Sequence, residues 1–235
     1  MGNNSLDWKI KNGIGFLLLN QPPANPMTID FFNALGELTG KIKSIRNLKG
    51  IIISGQGRHF SSGADLKELT YSINHHFINN QGNPPAGIPE FMLKNLESFQ
   101  FFNELNIPVV AAIKGVCIGS AFELALHCHF RLCTKQVVVG LPESTYGLIP
   151  GLGGISQLLK ILPKVTAMEM ACTGSTFNSA GAYKNKLADR VIGGTDLLYA
   201  AEILVSIAST NYRKYNKKEY LQQFDHALSN LTITP

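Results

Sequence analysis

The chain has 235 residues, of which 45% are hydrophobic and only 16% charged, and its formal net charge is +5. That apolar content excludes a globally disordered chain and is enough for one well-buried core. No apolar run approaches the roughly 20 residues that a membrane-spanning helix needs, and so mild a positive bias does not call for nucleic acid.

The segment Met1 to Asp7 has no basic stretch ahead of an apolar one, so a cytoplasmic protein without a secretory signal is expected. Trp8 to Lys11 alternates, Asn12-Gly13 is a strong two-residue turn signal, and Ile14 to Leu19 resumes as a buried strand. After the rigid Pro22-Pro23-Ala24-Asn25-Pro26 loop, Thr28 is placed to cap a helix whose apolar face is Phe31, Leu35, Leu38, Ile42 and Ile45. Gly50 to Gly55 reads as a strand buried on both faces. Helices are expected near Ala64 to Tyr71 and from Pro89 to Leu105. Between them, Ser72 to Pro89 is polar and rich in breakers, and reads as a long loop.

Val109 to Ile113 is expected as a strand, Ser120 to His127 as a helix, and Leu132 and Val137 to Val139 as further strand. Beyond about Asp196 strand signals cease and two helices are expected, the second starting near Lys217. Alternating strands and helices followed by a helical tail give the α/β class. The expected division is a core over residues 1–193 and a helical C-terminal region over 194–235. The four cysteines, Cys117, Cys128, Cys133 and Cys172, lie among apolar neighbours and read as buried free thiols.

Three glycine-containing turns carry the chemical signal: Ser61 to Leu69, Gly115 to Glu123, and Gly147 to Gly154. Helix N-termini present unpaired N–H groups, and two such turns brought together can donate to one carbonyl oxygen. Taken singly, each turn is better explained by close helix–strand packing. No P-loop is present, Gly55-Gln56-Gly57 lacks the third glycine of a dinucleotide fingerprint, and no Gly-x-Ser-x-Gly elbow occurs. His127-Cys128-His129 with Cys133 lacks the paired spacing of a zinc site, so no metal is expected. Two carboxylates stand out: Glu123 in the first turn of an apolar helix, and Glu143 in Leu141-Pro142-Glu143. Either one alone could stabilise a helix end, but the pair, each beside a glycine-rich turn, suggests acid/base chemistry.

Several motifs then occur together and in order: Pro22-Pro23-Ala24-Asn25, His59 to Leu66, Pro108 to Gly115, Leu141-Pro142-Glu143 and Ile149 to Gly154. In these the chain resembles the crotonase, or enoyl-CoA hydratase/isomerase, superfamily over about residues 8–192. The resemblance implies a spiral of repeated ββα units and a thioester substrate on a pantetheine arm. Coenzyme A or pantetheine would enter only as part of that substrate. It implies a homo-oligomer, trimer or hexamer; the composition and modest charge, not the resemblance, argue against a membrane or nucleic-acid partner.

Position by position, the resemblance puts oxyanion-hole N–H groups at Ala64 and Ser120, where relatives often have glycine at the second. Substrate-binding positions fall on Ala24, Met27, Asp65, Leu66, Lys67, Gly119 and Gly151. Glu123 and Glu143, 20 positions apart, match both catalytic glutamates of the hydratases. The sequence departs from the family at Ile155-Ser156-Gln157 and at Asn185-Lys186, and is shorter at its C-terminus than relatives commonly are.

The expected function is water addition to, or removal from, an enoyl or 3-hydroxyacyl thioester. The rivals are a double-bond isomerase, a hydratase or dehydratase acting on carrier-protein thioesters in polyketide-type biosynthesis, and a thioester-binding relative without turnover. RNA binding through Tyr212, Arg213, Lys214, Tyr215, Lys217, Lys218 and Tyr220 is a further rival. A solvated face explains that basic–aromatic mixture more simply.

Overall fold

The computed structural model describes residues 5–79, 88–193, 196–210 and 216–231. Strands β1 (Leu6–Lys11) and β2 (Ile14–Leu19) form the expected antiparallel hairpin, and Asn12 and Gly13 both take positive φ, as its tight turn requires. Thr28 Oγ1 accepts the Phe31 N–H at 3.2 Å and starts α1 (Ile29–Ile42), which buries Phe31, Leu35, Leu38 and Ile42. The helix stops at Ile42, so Ile45 reaches the core from the following loop rather than from the helix face.

Strand β3 (Gly50–Gly55) is buried along its whole length. Then come α2 (Leu66–Asn79), α3 (Glu90–Glu104), β4 (Val109–Ile118), α4 (Ser120–His127) and β5 (Phe130–Gly140). A 3₁₀ turn at Pro142–Tyr146 leads to α5 (Gly154–Ile161), α6 (Lys164–Thr173), β6 (Thr176–Phe177), α7 (Ser179–Lys184) and β7 (Arg190–Ile192). The tail forms α8 (Leu197–Ser209) and α9 (Lys217–Leu231).

The sheet runs β1-β2-β3-β4-β5-β6, with β7 beside β5, and the strands from β2 to β5 are parallel. Strict alternation divides the core between its two faces. Ile51, Ile53, Val109, Ala111 and Ile113 meet Phe31, Phe99, Phe102 and Phe122 on one side. Ile52, Val110, Ala112 and Leu132 meet Leu204, Val205, Tyr220 and Phe224 on the other.

Strands β4 and β5 serve two layers. Val109 to Ala112 pairs with β3, the register shifts between Ile113 and Gly115, and Gly115 to Ile118 then pairs with Val137 to Gly140. Bridges Ser61–Cys117 and Met27–Ala64 extend that second layer, which carries the glycine-rich loops. Here the structure corrects the expectation that the chain turns at Gly115. Gly115 bends a continuing strand, and the turn proper is confined to Gly119.

The polar stretch after Tyr71 is corrected as well. Ser72 to Asn79 continue α2, because Leu69 and Ile73 keep the helical spacing and the breakers begin only at Gly82. Asn80 to Gly87 lie outside the described residues. Cys117, Cys128 and Cys133 are buried free thiols, whereas Cys172, expected to be buried too, is exposed on α6. Of the basic–aromatic stretch, Tyr212 to Tyr215 lie outside the described residues. Lys217 is bonded to Asp189 at 2.8 Å and Tyr220 is buried, so neither belongs to a free basic face.

Asp189 and Arg190 fasten the tail to the sheet edge. Arg190 donates twice to Asp225 on α9, at 2.6 Å and 2.6 Å. Asp189 accepts from the Arg131 backbone N–H at 2.7 Å and faces the buried Arg131 guanidinium. Asp189→Ala therefore leaves a buried cation without its counter-charge and should cost about 3–5 kcal/mol. The midpoint of urea unfolding measures this; an unshifted midpoint contradicts it.

Candidate active site

The site is assembled from three loops held together by backbone bonds. Asn25, 2% exposed, takes positive φ and lies at the centre of the first. Its Nδ2 donates to Gln56 O at 2.9 Å, His59 O at 3.0 Å and Phe60 O at 3.2 Å, while its Oδ1 accepts from Gln21 N at 3.0 Å. Ala24 O accepts from Ser62 N at 2.9 Å, Met27 N donates to Gly63 O at 2.8 Å, and Asp65 N donates to Met27 O at 3.0 Å. Met27 thus pairs with the residues on either side of Ala64, and the alternation of a parallel bridge turns the Ala64 N–H away from Met27.

The second donor stands close by. Gly63 takes φ +85, and a Cβ there would lie 2.6 Å from Ile118 O and 3.3 Å from Ser120 N. Glycine is what lets the first loop press against the start of α4. Ser120 is the first residue of α4, so its N–H has no acceptor within the helix.

Glu123 is 1% exposed, and its Oε1 accepts from Leu152 N and Gly154 N, both at 2.8 Å. Burial pushes its pKa up from 4.5 to about 7, with the N–H donors pulling down and Glu143 adding to the rise. Glu143 is pushed up to about 6, again chiefly by burial. Its Oε2 is buried without a hydrogen-bond partner among the described residues, a costly arrangement that needs a reason. Its Oε1 lies 3.2 Å from where a Gly119 side chain would begin.

A cavity of about 110 Å³ is lined by Ala64, Ser120, Glu123, Glu143 and Gly151. It is bordered by a cavity of about 350 Å³ that Met27 and Asp65 line. A third, of about 100 Å³, is lined by Leu66, Gly119 and again Glu143. Ala24 acts through its carbonyl, and Lys67 lines none of the three cavities. The Gly119 N–H is taken up by Gly140 O at 2.9 Å, and Asp65 Oδ1 caps α2 through Lys67 N and Glu68 N, each at 3.0 Å.

The sequence profile of the enoyl-CoA hydratase/isomerase family matches residues 9–231. This chain belongs to that family, within the crotonase superfamily. It is 33% identical over 198 residues to a fatty acid oxidation complex subunit alpha from Shewanella loihica, a match covering 82% of this chain and 27% of that protein. It is 29% identical over 183 residues to a probable enoyl-CoA hydratase from Bacillus subtilis, covering 76% of this chain and 66% of that one. The chain thus spans about 27% of the length of that fatty acid oxidation subunit.

Among solved structures, an enoyl-CoA hydratase/isomerase from Mycobacterium paratuberculosis superposes with a TM-score of 0.78 at 19% identity, covering 98% of this chain and 88% of that one. An enoyl-CoA hydratase from Bacillus anthracis superposes with a TM-score of 0.73 at 24% identity, covering 98% and 92%. These two likenesses establish the crotonase fold.

Within this member of the family, sequence reasoning misses how the motifs are held: it places Asn25 within a motif without its role, and leaves out the apolar wall of the cavity. Asn25 carries a visible signal, an asparagine before a proline in a rigid loop, and asparagine tolerates positive φ. The apolar wall formed by Phe32, Phe91, Met92 and Leu148 carries none, since each reads as ordinary core.

The raised carboxyl values have a consequence for stability. A group that holds its proton more tightly when folded favours the fold below its unfolded pKa, and loses that effect as pH climbs through the folded value. For Glu123 the window runs from 4.5 to about 7. Glu123→Gln keeps an oxygen for the Leu152 and Gly154 N–H groups and removes the buried charge. It should stabilise the protein at pH 8 by roughly 2–3 kcal/mol and change little at about pH 4. Thermal melts at both pH values decide it, and equal shifts would contradict the burial argument.

Proposed function

We propose that this family member is an enoyl-thioester hydratase, catalysing reversible addition of water across the C2–C3 double bond. The observation that carries the reading is the convergence on one cavity of about 110 Å³ of two carboxyls with raised pKa values and two backbone N–H donors. The Ala64 and Ser120 N–H groups would donate to the thioester oxygen and stabilise the enolate as charge moves onto it, a contribution of roughly 3 kcal/mol per donor in comparable sites. Glu123, fixed through Oε1, would use Oε2 to hold the water and take its proton as the oxygen attacks C3. Glu143 would deliver a proton to C2 from its otherwise unpartnered side, and the two carboxyls reverse roles in elimination.

The two pKa values, about 7 and about 6, suit a reaction that runs both ways. Elimination starts with the proton on Glu123, leaving Glu143 to take the C2 proton and Glu123 to protonate the departing hydroxyl. Hydration starts from the exchanged state, with the proton on Glu143, and the two carboxyls titrate as a pair. The substrate class proposed is an acyl thioester of coenzyme A, with the neighbouring cavities receiving the acyl chain and the pantetheine. Exposed apolar side chains such as Val165 and Met168 on α6 support the further proposal of a homo-oligomer, trimer or hexamer.

The test is turnover of crotonyl-CoA, followed by loss of the enoyl-thioester absorbance, in wild type, Glu123→Gln and Glu143→Gln. Each variant should lose about 10²–10⁴-fold in kcat with its fold intact. A double-bond isomerase working through Glu143 alone, which that residue's unpartnered oxygen favours, would keep its isomerase activity in Glu123→Gln. A folded wild type with no hydration of crotonyl-CoA sinks the hydratase reading for this substrate.

A further inference from the structure

Four residues beyond Glu123 on the same helix stands His127, 1% exposed and absent from the lining of all three cavities. Its Nε2 lies 3.0 Å from Leu152 O, and its Nδ1 lies 3.3 Å from Gln157 Nε2. A carbonyl oxygen only accepts, so Nε2 carries the proton and Nδ1 offers its lone pair to the Gln157 amide. Gln157 Oε1 in turn accepts from Lys160 Nζ at 3.2 Å. One neutral tautomer satisfies the whole chain of bonds, and burial, which pulls the His127 pKa below its ordinary value, keeps the ring neutral.

Leu152 is therefore gripped twice, its N–H by Glu123 and its carbonyl by His127. Gly153 takes φ +87, and a Cβ there would lie 2.9 Å from His127 Nε2, so the ring is seated directly against the turn. Phe99 of α3 meets the ring edge-on, with 6.2 Å between centroids. We propose that His127 is a positioning residue for Glu123: it fixes the Gly151–Gly154 turn so that the Leu152 and Gly154 N–H groups reach the carboxylate. Its catalytic meaning rests on the hydratase reading above; its effect on Glu123 does not.

Among the described residues, the charged group acting on Glu123 is Glu143, and the one acting on His127 is Lys160 on α5. Neither charge is removed when His127 is replaced. His127→Leu removes the donor and keeps an apolar filling beside Phe99. With the turn released, the N–H bonds that favour the charged carboxylate weaken, and the Glu123 pKa must rise.

The experiment is a carboxyl-selective ¹³C NMR titration of the full chain, with the Glu123 resonance assigned by its loss in Glu123→Gln. In His127→Leu the Glu123 pKa should rise by about half a unit or more. kcat for crotonyl-CoA should fall on the order of 10- to 100-fold, the scale of a misplaced catalytic group, with KM within about twofold. His127→Gln, which can present an N–H near the same place, should restore most of both. An unshifted Glu123 titration in folded His127→Leu, or a glutamine variant as impaired as the leucine one, overturns the proposal. Should His127→Leu fail to fold, His127→Phe keeps an aromatic ring against Phe99 and Gly153 and removes the same donor, and no upward shift there overturns it equally. The titration reads Glu123 with or without turnover: a shift in a chain that hydrates nothing sinks the hydratase reading alone. Normal wild-type turnover with no shift sinks this inference alone.

Discussion

A carboxyl group sealed from water must find its partners in the protein, and Glu123 finds them in the backbone of a neighbouring turn. Two N–H groups at 2.8 Å meet one of its oxygens, yet its pKa still stands at about 7. Desolvation therefore outweighs the hydrogen bonds, and much of the surrounding structure can be understood as what keeps that balance in place. The turn must hold its shape, so it contains glycines and is gripped from behind by His127. The helix that carries Glu123 must begin beside the cavity, so Gly119 ends the bent strand immediately before it.

The bend in β4 is the larger expression of the same constraint. One strand supplies the core pairing at Val109 to Ala112, shifts register, and delivers Gly119 and Ser120 to the second layer. β5 follows it and delivers Glu143 just past its end. The separation of Glu123 and Glu143 in sequence is thus one helix and one strand, a short path that brings a second carboxyl back to the first. The Asn25 clasp then closes the third side, tying the loop before α1 to the loop that holds Ala64.

This explains what the sequence makes legible. The hairpin, the Thr28 cap, the doubly buried β3 and the span of α4 are local facts, set by turn chemistry, capping and alternation, and they appear where the residues place them. The glycine-rich motifs point to the site because glycine is demanded by close approach, as at Gly63 against Ile118. What local pattern cannot express is a strand that bends and continues, so Gly115 reads as the start of a turn into the helix. Nor does it express how far a helix runs once its capping signals are weak. α2 persists through Ser72 to Asn79 because Ile73 stays on the face that meets the cavity. His127 shows the same limit from the other side: beside Cys128 and His129 it reads as an ordinary partly buried histidine, and only the approach of residues 152 and 157 reveals its partners.

The two glutamates differ in a way that assigns their parts in the proposed reaction. Glu123 is anchored through one oxygen, so its other oxygen has a fixed direction, which suits a group that must orient a water. Glu143 has a buried oxygen with no partner among the described residues, which suits a group whose proton has to travel to and from a carbon that cannot hydrogen-bond in advance. An anchored carboxyl with its pKa near 7 and an unanchored one near 6 owe those values to the same apolar enclosure, reached by different routes. Burial is stronger at Glu123 and is partly offset by the N–H donors of the neighbouring turn; it is weaker at Glu143, where that residue's own backbone N–H offsets part of it. Were the donors moved to Glu143, burial at Glu123 would go unopposed and its carboxyl would hold its proton still more tightly.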